Sequence, residues 1–301
     1  MKNFTKQFIK SFDGKQICTY ISNNINTNKS IIVVHGMAEH IERYEEFLNK
    51  LISNNYKVIA YNQRGHYQTD DYENYGYLGS NNGFDNLIND LNFFVKYITR
   101  EFPGQIYLFG HSMGSFVVTR YLQLYPNKIK AAVICGTGKN PQIKLLFGNL
   151  ISKIICLFKG PKYRSKLIDK LSFGSYNKNF KPNRTTHDWL NSVDSEVDKY
   201  LNDRWCGGIF TVSFFRDFTK LMYRINKNNH LTNRFTSIFL IAGDKDPVGS
   251  NGKDVIKLHK TLLKNNENVE LKLIKNARHE IIVEEKKEEI HNAIVDYLNR
   301  N

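Results

Sequence analysis

Short runs of apolar, mostly β-branched residues alternate along the chain with longer segments that have a helical hydrophobic period. Ile31–Val34 is an uninterrupted apolar run, which is typical of a strand buried on both faces of a sheet. Phe84–Arg100 instead carries its apolar residues at helical spacing, namely Leu87, Ile88, Leu91, Phe94, Val95 and Ile98. Alternation of this kind predicts a mostly parallel sheet with helices on both faces.

The pattern predicts an α/β fold with an eight-stranded sheet. Asp13-Gly14 indicates a hairpin between the first two strands. The strands are expected at Phe4–Lys10, Gln16–Ile21, Ile31–Val34, Lys57–Tyr61, Ile106–Phe109, Ala131–Ile134, Ser237–Ile241 and Val269–Ile274. Core helices are expected at Tyr44–Ser53, Phe84–Arg100, Ser115–Leu124, Gly252–Lys264 and Lys286–Asn299.

The strand–helix alternation is interrupted in the second half of the chain, where the patterns are mainly helical and include Ile143–Phe158. We predict that residues 139–232 form a helical cap inserted into a core made of residues 1–138 and 233–301. The cap would cover the carboxyl edge of the sheet, where ligands of such folds bind.

Composition narrows the possible partners. The chain has 301 residues, of which 41% are hydrophobic, as expected for one globular core with an insertion. The 43 basic residues outnumber 29 acidic ones, for a formal charge of +14. The lysines are scattered and form no nucleic-acid module, so we expect no nucleic-acid partner. Weak attraction to an anionic membrane is compatible with this charge.

Four widely separated cysteines predict reduced residues instead of a disulfide framework. The first residues contain no apolar run of signal-peptide length. The sequence also has no apolar run of about 18 residues, the length needed to span a bilayer. We therefore expect a soluble, cytoplasmic protein.

Gly110-His111-Ser112-Met113-Gly114 stands between a predicted strand and a predicted helix. This is G-x-S-x-G in the context of a nucleophile elbow, where a strained turn exposes a serine hydroxyl at a helix N-terminus. Gly110 and Gly114, each two positions from Ser112, would allow the backbone to pack this tightly. His111 could be a base, but adjacent side chains on a tight turn diverge, so we interpret it as a neighbour that lines the elbow.

Two loops near the end of the chain supply candidate partners for this serine. Asp246 follows the strand Ser237–Ile241, and His279 follows Val269–Ile274. Parallel strands end at the same edge of a sheet, so both side chains are expected beside Ser112. An imidazole can take the proton of the attacking hydroxyl, and a carboxylate orients that imidazole. We predict Ser112 as nucleophile, His279 as base and Asp246 as the orienting acid.

Alternatives exist near these positions. Asp244 competes with Asp246, although a turn-capping role suits it better. Glu280 is a candidate for holding the histidine loop in place.

For the oxyanion hole, the backbone N–H groups of Met37 and Met113 are the predicted donors. Hydrolases with a nucleophile elbow take one donor from the loop after an early strand and one from the residue after the nucleophile. The histidines of that loop complete no metal-binding spacing, so we expect no metal and no cofactor.

Together these motifs resemble the monoglyceride lipase and lysophospholipase branch of the α/β hydrolases, a grouping that includes serine aminopeptidase S33-type domains. Family members usually have Asp and Gly where this chain has Asn62 and Tyr67, which suggests a differently shaped pocket. The resemblance rests on His35-Gly36-Met37-Ala38-Glu39-His40, Arg43-Tyr44, Arg64-Gly65-His66, Asp90, Gly110-His111-Ser112-Met113-Gly114, Gly243-Asp244-Lys245-Asp246 and Ala277-Arg278-His279-Glu280.

The resemblance implies hydrolysis of a carboxylic ester of a lipid, such as a monoacylglycerol or lysophospholipid, through an acyl-enzyme. The apolar segment Ile143–Phe158 could line an acyl tunnel and contact a membrane weakly, or pack on the core. Two alternatives stay open at this point. One is a peptidase or amide hydrolase with the same triad and an acidic amine-binding site, and the other is a non-enzymatic binding protein, which the intact triad disfavours.

Overall fold

The strands form one sheet in the order β1-β2-β4-β3-β5-β6-β7-β8. The computed structural model describes residues 1–24, 26–125, 128–139, 141–231 and 235–301. In this part of the chain β1 and β2 pair antiparallel, β2 pairs antiparallel with β4, and the other neighbours pair parallel. The strands are β1 Phe4–Lys10, β2 Gln16–Ser22, β3 Lys29–Val34, β4 Lys57–Tyr61, β5 Gln105–His111, β6 Ala131–Cys135, β7 Ser237–Gly243 and β8 Val269–Ile274.

Helices cover both faces of this sheet, so the predicted fold class is confirmed. One buried apolar cluster joins α2, α3 and α8 to one face, and a second joins α1 and α9 to the other. The helices that flank the sheet are α1 Glu45–Ser53, α2 Gly83–Glu101, α3 Met113–Leu124, α8 Lys253–Leu262 and α9 Lys287–Arg300. The remaining helices are α4 Gln142–Lys159, α5 Lys166–Phe173, α6 Asp194–Asn202 and α7 Val212–Lys227.

The helices α4 to α7 lie between β6 and β7, and we call residues 141–231 the inserted segment. Its last helix is not separate from the core, because Phe214 of α7 is buried and its ring lies 5.1 Å from that of Phe84 in α2. Helix α4 packs along α7 but leaves several large apolar side chains exposed. The predicted cap boundary at residues 232 and 233 lies outside the described residues.

Several element boundaries differ from the prediction by two residues, and the difference that matters for the site falls at the elbow. Helix α3 begins at Met113 and not at Ser115 as predicted, while β5 continues to His111. The whole change of direction is made by Ser112, whose φ of 51° and ψ of −119° are unusual for a residue with a side chain. Strand and helix are therefore separated by a single residue.

None of the helices in the described ranges combines the length and the hydropathy needed to cross a lipid bilayer.

Close approach of α3 to β3 keeps the elbow at the sheet edge. A methyl group added at Gly114 would lie 2.6 Å from the carbonyl oxygen of His35 and closer still to that of Val34. Helix α3 therefore needs glycine at this position. Gly148 in α4 is a useful comparison, because its added methyl would only meet Thr219 at 3.4 Å.

We expect Gly114→Ala to destabilise the protein by about 1–3 kcal/mol, the usual cost of forcing extra atoms into a packed interior. Gly148→Ala should be neutral or stabilise by up to about 1 kcal/mol, because alanine favours a helix. Urea unfolding monitored by circular dichroism gives both free energies. Equal stability of the two variants would contradict the packing described for the elbow.

Candidate active site

Ser112, His279 and Asp246 lie in hydrogen-bond contact at the carboxyl edge of the sheet. The His279 Nε2 atom is 2.8 Å from the Ser112 Oγ, and its Nδ1 atom is 2.9 Å from Asp246 Oδ2. Asp246 is fully buried, and its second oxygen accepts a hydrogen bond of 2.9 Å from the Val248 N–H. With its Nδ1 proton donated to Asp246, the imidazole has an unprotonated Nε2 that can accept from the serine hydroxyl.

The neighbouring acids have other contacts. Asp244 accepts a hydrogen bond of 2.7 Å from the Asn276 N–H, so it links the loops after β7 and β8 in the turn-capping manner expected of it. Glu280 accepts two hydrogen bonds from Arg43, at 2.5 and 2.9 Å. This bidentate pair fixes the residue next to His279 to the loop after β3.

The loop after β3 lies directly against Ser112. A methyl group at Gly36 would approach the Ser112 Cβ to 3.1 Å, so the backbone passes close beside the serine. Met37 and Met113 both line the adjoining cavity. Among the described residues, no loop or turn carbonyl accepts a hydrogen bond from the Met37 N–H. Met113 is the first residue of α3, a position whose N–H has no acceptor within the helix.

His35 holds the start of this loop as a neutral imidazole. Burial lowers the pKa of His35 to about 4, against a weaker opposing effect of Glu39. Its Nδ1 lies 2.7 Å from the Gly36 carbonyl oxygen, and its Nε2 accepts from the Gln63 N–H at 2.9 Å. The loops after β3 and β4 are thus joined behind the site.

The buried carboxylate of Glu39 joins the loop after β3 to the elbow. Glu39 accepts hydrogen bonds from the Gly36 N–H at 2.6 Å and the Tyr44 hydroxyl at 2.8 Å, and its Oε1 lies 3.2 Å from His111 Nδ1. Burial opposes ionisation of both partners, but their mutual hydrogen bond and charge outweigh it. The pKa of Glu39 is therefore lowered and the pKa of His111 is raised.

His111 contacts the loop that carries His279 and not the Ser112 hydroxyl. Its Nε2 lies 3.2 Å from the carbonyl oxygen of His279. This position matches the interpretation of His111 as a neighbour that lines the elbow. Glu39 and Arg43 belong to the motifs named above, but the sequence alone did not predict a role for either residue. The available signal was a group of charged residues within ten positions of the end of a buried strand, where charge is costly unless it is paired.

Trp189 of the inserted segment was also missed. Its ring centroid lies 5.2 Å from that of His279, with an angle of 37° between the rings. A tryptophan in a mainly helical region has no sequence feature that connects it to a histidine far along the chain.

A cavity of about 670 Å³ opens over Ser112 and His279. The inserted segment supplies most of its wall. The apolar part of the lining includes Leu145, Phe147, Ile151, Ile168, Leu171, Phe173, Phe215, Phe218 and Met222, and the polar part includes Thr186, His187, Tyr200 and Glu280. Neither Asn62 nor Tyr67 is among the described residues that line this cavity. Tyr67 instead stacks on His40, with ring centroids 4.5 Å apart.

His40, Asp203 and Cys206 bring potential metal ligands within 4.8 Å of one another. Both imidazole nitrogens already have carboxylate partners, Glu42 at 2.8 Å and Asp203 at 2.7 Å. Burial raises the pKa of the Cys206 thiol, which disfavours the thiolate that a metal needs. Burial disfavours protonation of His40, but the hydrogen bonds to Glu42 and Asp203 outweigh it and raise the His40 pKa. The contact therefore joins the loop after β3 to the inserted segment through a histidine shared by two carboxylates. That the protein binds no metal stays a prediction.

Comparison with known proteins agrees with the fold. The family model described as serine aminopeptidase, S33, matches residues 25–286. Human monoglyceride lipase is 26% identical over 156 residues, 48% of this chain and 48% of that protein. A putative monoglyceride lipase of Schizosaccharomyces pombe is 31% identical over 94 residues, 30% of this chain and 24% of that protein. The chain thus spans less than half the length of these curated relatives.

Solved structures are similar over nearly the whole chain. A thermostable carboxyl esterase from Bacillus coagulans, in complex with glycerol, superposes with a TM-score of 0.90 at 24% identity, covering 99% of this chain and 98% of that one. A soluble variant of the Saccharomyces cerevisiae monoglyceride lipase, in complex with a substrate analog, has a TM-score of 0.77 at 16% identity, with 99% and 94% covered. This chain therefore belongs to the serine aminopeptidase S33 family, and it has the α/β-hydrolase fold of the solved structures it superposes on.

Proposed function

We propose that this protein is a serine carboxylic-ester hydrolase that acts on a lipid ester through an acyl-enzyme on Ser112. The observation that carries the proposal is the continuous Ser112–His279–Asp246 hydrogen-bond chain at the floor of a largely apolar cavity. A serine with its base in contact and its base oriented by a buried carboxylate is the arrangement that nucleophilic acyl transfer requires.

The reaction follows from these contacts. As the Ser112 oxygen attacks the ester carbonyl, its proton passes to His279 Nε2, and Asp246 stabilises the imidazolium. The carbonyl oxygen becomes an oxyanion, for which the N–H groups of Met37 and Met113 are the proposed donors. When the ester C–O bond breaks, His279 returns the proton to the leaving alcohol. Water then attacks the acyl-enzyme with the same proton transfers, releasing the acid and restoring Ser112.

The cavity favours a single acyl chain attached to a small polar alcohol. Its apolar walls suit a hydrocarbon chain, whereas Thr186, His187 and Glu280 add hydrogen-bonding groups to the lining. A volume of about 670 Å³ is in the range of sites for ligands of this size. The similarity to human monoglyceride lipase supports a monoacylglycerol as substrate. A lysophospholipid, which has the same single acyl chain, is the second candidate.

An aminopeptidase activity would need an anionic group to hold the substrate amine. Of the described cavity residues from the inserted segment, Asp169 is the acidic one. Lys170 and Lys144 line the same cavity, so this region has no net negative charge for an amine. Turnover of monoacylglycerols, lysophospholipids and aminoacyl amides measured side by side distinguishes the two activities, and we expect the esters to be cleaved.

We expect Ser112→Ala and His279→Ala to lower kcat for a monoacylglycerol by about 10⁶-fold, and Asp246→Asn by about 10⁴-fold, as for other Ser–His–Asp enzymes. The losses should fall on kcat, because these groups act on the reacting atoms. Fatty-acid release from purified protein measures them. Asp244→Asn is the matched control, since Asp244 caps a turn and does not touch His279. Full activity of Ser112→Ala would show that another residue is the nucleophile.

We also propose that α4 and α5 contact an anionic lipid bilayer. These helices expose large apolar side chains, with Ile143 82%, Leu157 81% and Phe158 77% exposed. The same helices and their connection carry the cations Lys144, Lys153, Lys159, Lys162, Lys166 and Lys170. Apolar anchors among cations match the headgroup region of an anionic membrane, where each cation adds about 1 kcal/mol.

The double variant Leu157→Ser with Phe158→Ser should bind vesicles of phosphatidylglycerol and phosphatidylcholine several-fold more weakly than the parent protein. Neither side chain is among the described residues that line the cavity, so turnover of a short water-soluble ester should be unchanged. Flotation with vesicles measures binding. Phe8→Ser is the control, because Phe8 is 53% exposed on the edge strand β1. Equal binding by all three proteins would exclude this surface as the membrane contact.

A further inference from the structure

The loop that carries His279 is bound directly to the inserted segment. We call residues 278–284 the histidine loop and residues 188–192 the anchor segment. Arg278 donates from Nη1 to the Asp188 carbonyl oxygen and, at 2.9 Å, to that of Asn191. The Glu280 N–H donates to the Leu190 carbonyl oxygen at 2.8 Å. The residues on both sides of His279 are therefore tied to the same short stretch of the insertion.

The far end of the histidine loop is tied down in the same way. The buried Glu284 carboxylate accepts hydrogen bonds from the Ser192 N–H at 3.0 Å and the Arg278 N–H at 2.8 Å. Asn191, also buried, donates from its side chain to the Val283 carbonyl oxygen at 3.2 Å. Buried groups paired in this way are costly to separate, because each would lose its partner without gaining water.

Trp189 lies in the middle of the anchor segment and contacts the His279 ring. Other residues of the inserted segment hold Trp189 in place. Its backbone N–H donates to Asn177 Oδ1 at 2.9 Å, and its ring lies 5.0 Å from that of Tyr176. The imidazole thus has Asp246 hydrogen-bonded to its Nδ1 and an indole of the inserted segment beside its ring.

We infer that the anchor segment positions His279, so that the inserted segment is part of the machinery that orients the base and not only a cover over the cavity. The inference rests on the proposed role of His279 as the base. Arg278 and Trp189 act here as positioning residues. Because a misplacement of about 1 Å can cost about 100-fold in rate, fixing the imidazole is a direct contribution to kcat.

Arg278→Met removes the donors and keeps the length of the side chain. We expect kcat for a soluble ester to fall by about 10- to 100-fold, the range for a slightly misplaced group, with little change in KM. Arg278→Lys keeps the charge and one donor, so it should recover part of kcat. Arg184→Met is the matched control, because Arg184 of the inserted segment pairs with Asp198 and Asp194 and not with the histidine loop.

Proton NMR provides a readout that does not depend on turnover. The His279 proton shared with Asp246 should give a sharp signal far downfield of the amides in the parent protein and in Arg184→Met. In Arg278→Met it should broaden or disappear, because the imidazole is no longer held. A melting temperature measured for each variant shows whether it is folded, and if Arg278→Met does not fold, Arg278→Lys decides the question.

The inference is wrong if folded Arg278→Met, or folded Arg278→Lys when the first variant does not fold, keeps both the parental kcat and the downfield signal. The two proposals fail in different ways. If the parent protein hydrolyses no ester but loses the downfield signal on substitution of Arg278, the proposed function is wrong while the positioning of His279 by the anchor segment stands. If the parent is active and the Arg278 variants behave like Arg184→Met, only the inference is wrong.

Discussion

The structure depends on one constraint, that a residue with a side chain is held at positive φ between a buried strand and a helix. Ser112 takes this conformation because β5 and α3 are packed in place on either side of it. Gly114 allows α3 to press against β3, and any larger residue would separate them. Packing of the surrounding sheet and helices offsets the free energy of this strained backbone conformation. The Ser112 hydroxyl is therefore fixed at the sheet edge.

The other groups reach this hydroxyl because parallel strands deliver their loops to the same edge. Asp246 and His279 arrive from β7 and β8, and the loop after β3 arrives from the opposite side. Buried charges then hold these loops to one another. Glu39 and Arg43 are each paired, so their desolvation is offset by hydrogen bonds to charged partners. The proposed site is therefore held in place by contacts within the protein itself, as the proposed catalysis by fixed dipoles would require.

Much of this arrangement could be predicted from the sequence. Continuous apolar runs identified the central strands, and the opening hairpin at Asp13-Gly14 and the elbow around Ser112 were identified by glycine in a defined context. The order of serine, acid and histidine along strands of known direction was enough to name three residues that the structure places in contact. Such features are local, or follow from strand direction alone.

The remainder depends on contacts between distant parts of the chain. Arg43 and Glu280 are separated by 237 positions, and no local pattern marks them as a pair. Trp189 meets His279 only because the inserted segment folds back over the sheet edge. The start of α3 was misplaced because helical periodicity cannot reveal that a single strained residue makes the turn. Contacts between side chains that are distant in sequence, including those made by the inserted segment, could therefore not be predicted from the sequence.

The central claim is that Ser112 is the activated nucleophile of a site that is already assembled. Labelling of the parent protein with a fluorophosphonate, followed by peptide mass spectrometry, tests it most directly. The account predicts one stoichiometric adduct on the peptide that contains Ser112, and its loss in the His279→Ala protein. An adduct on a different residue, or no adduct on folded protein, would contradict it.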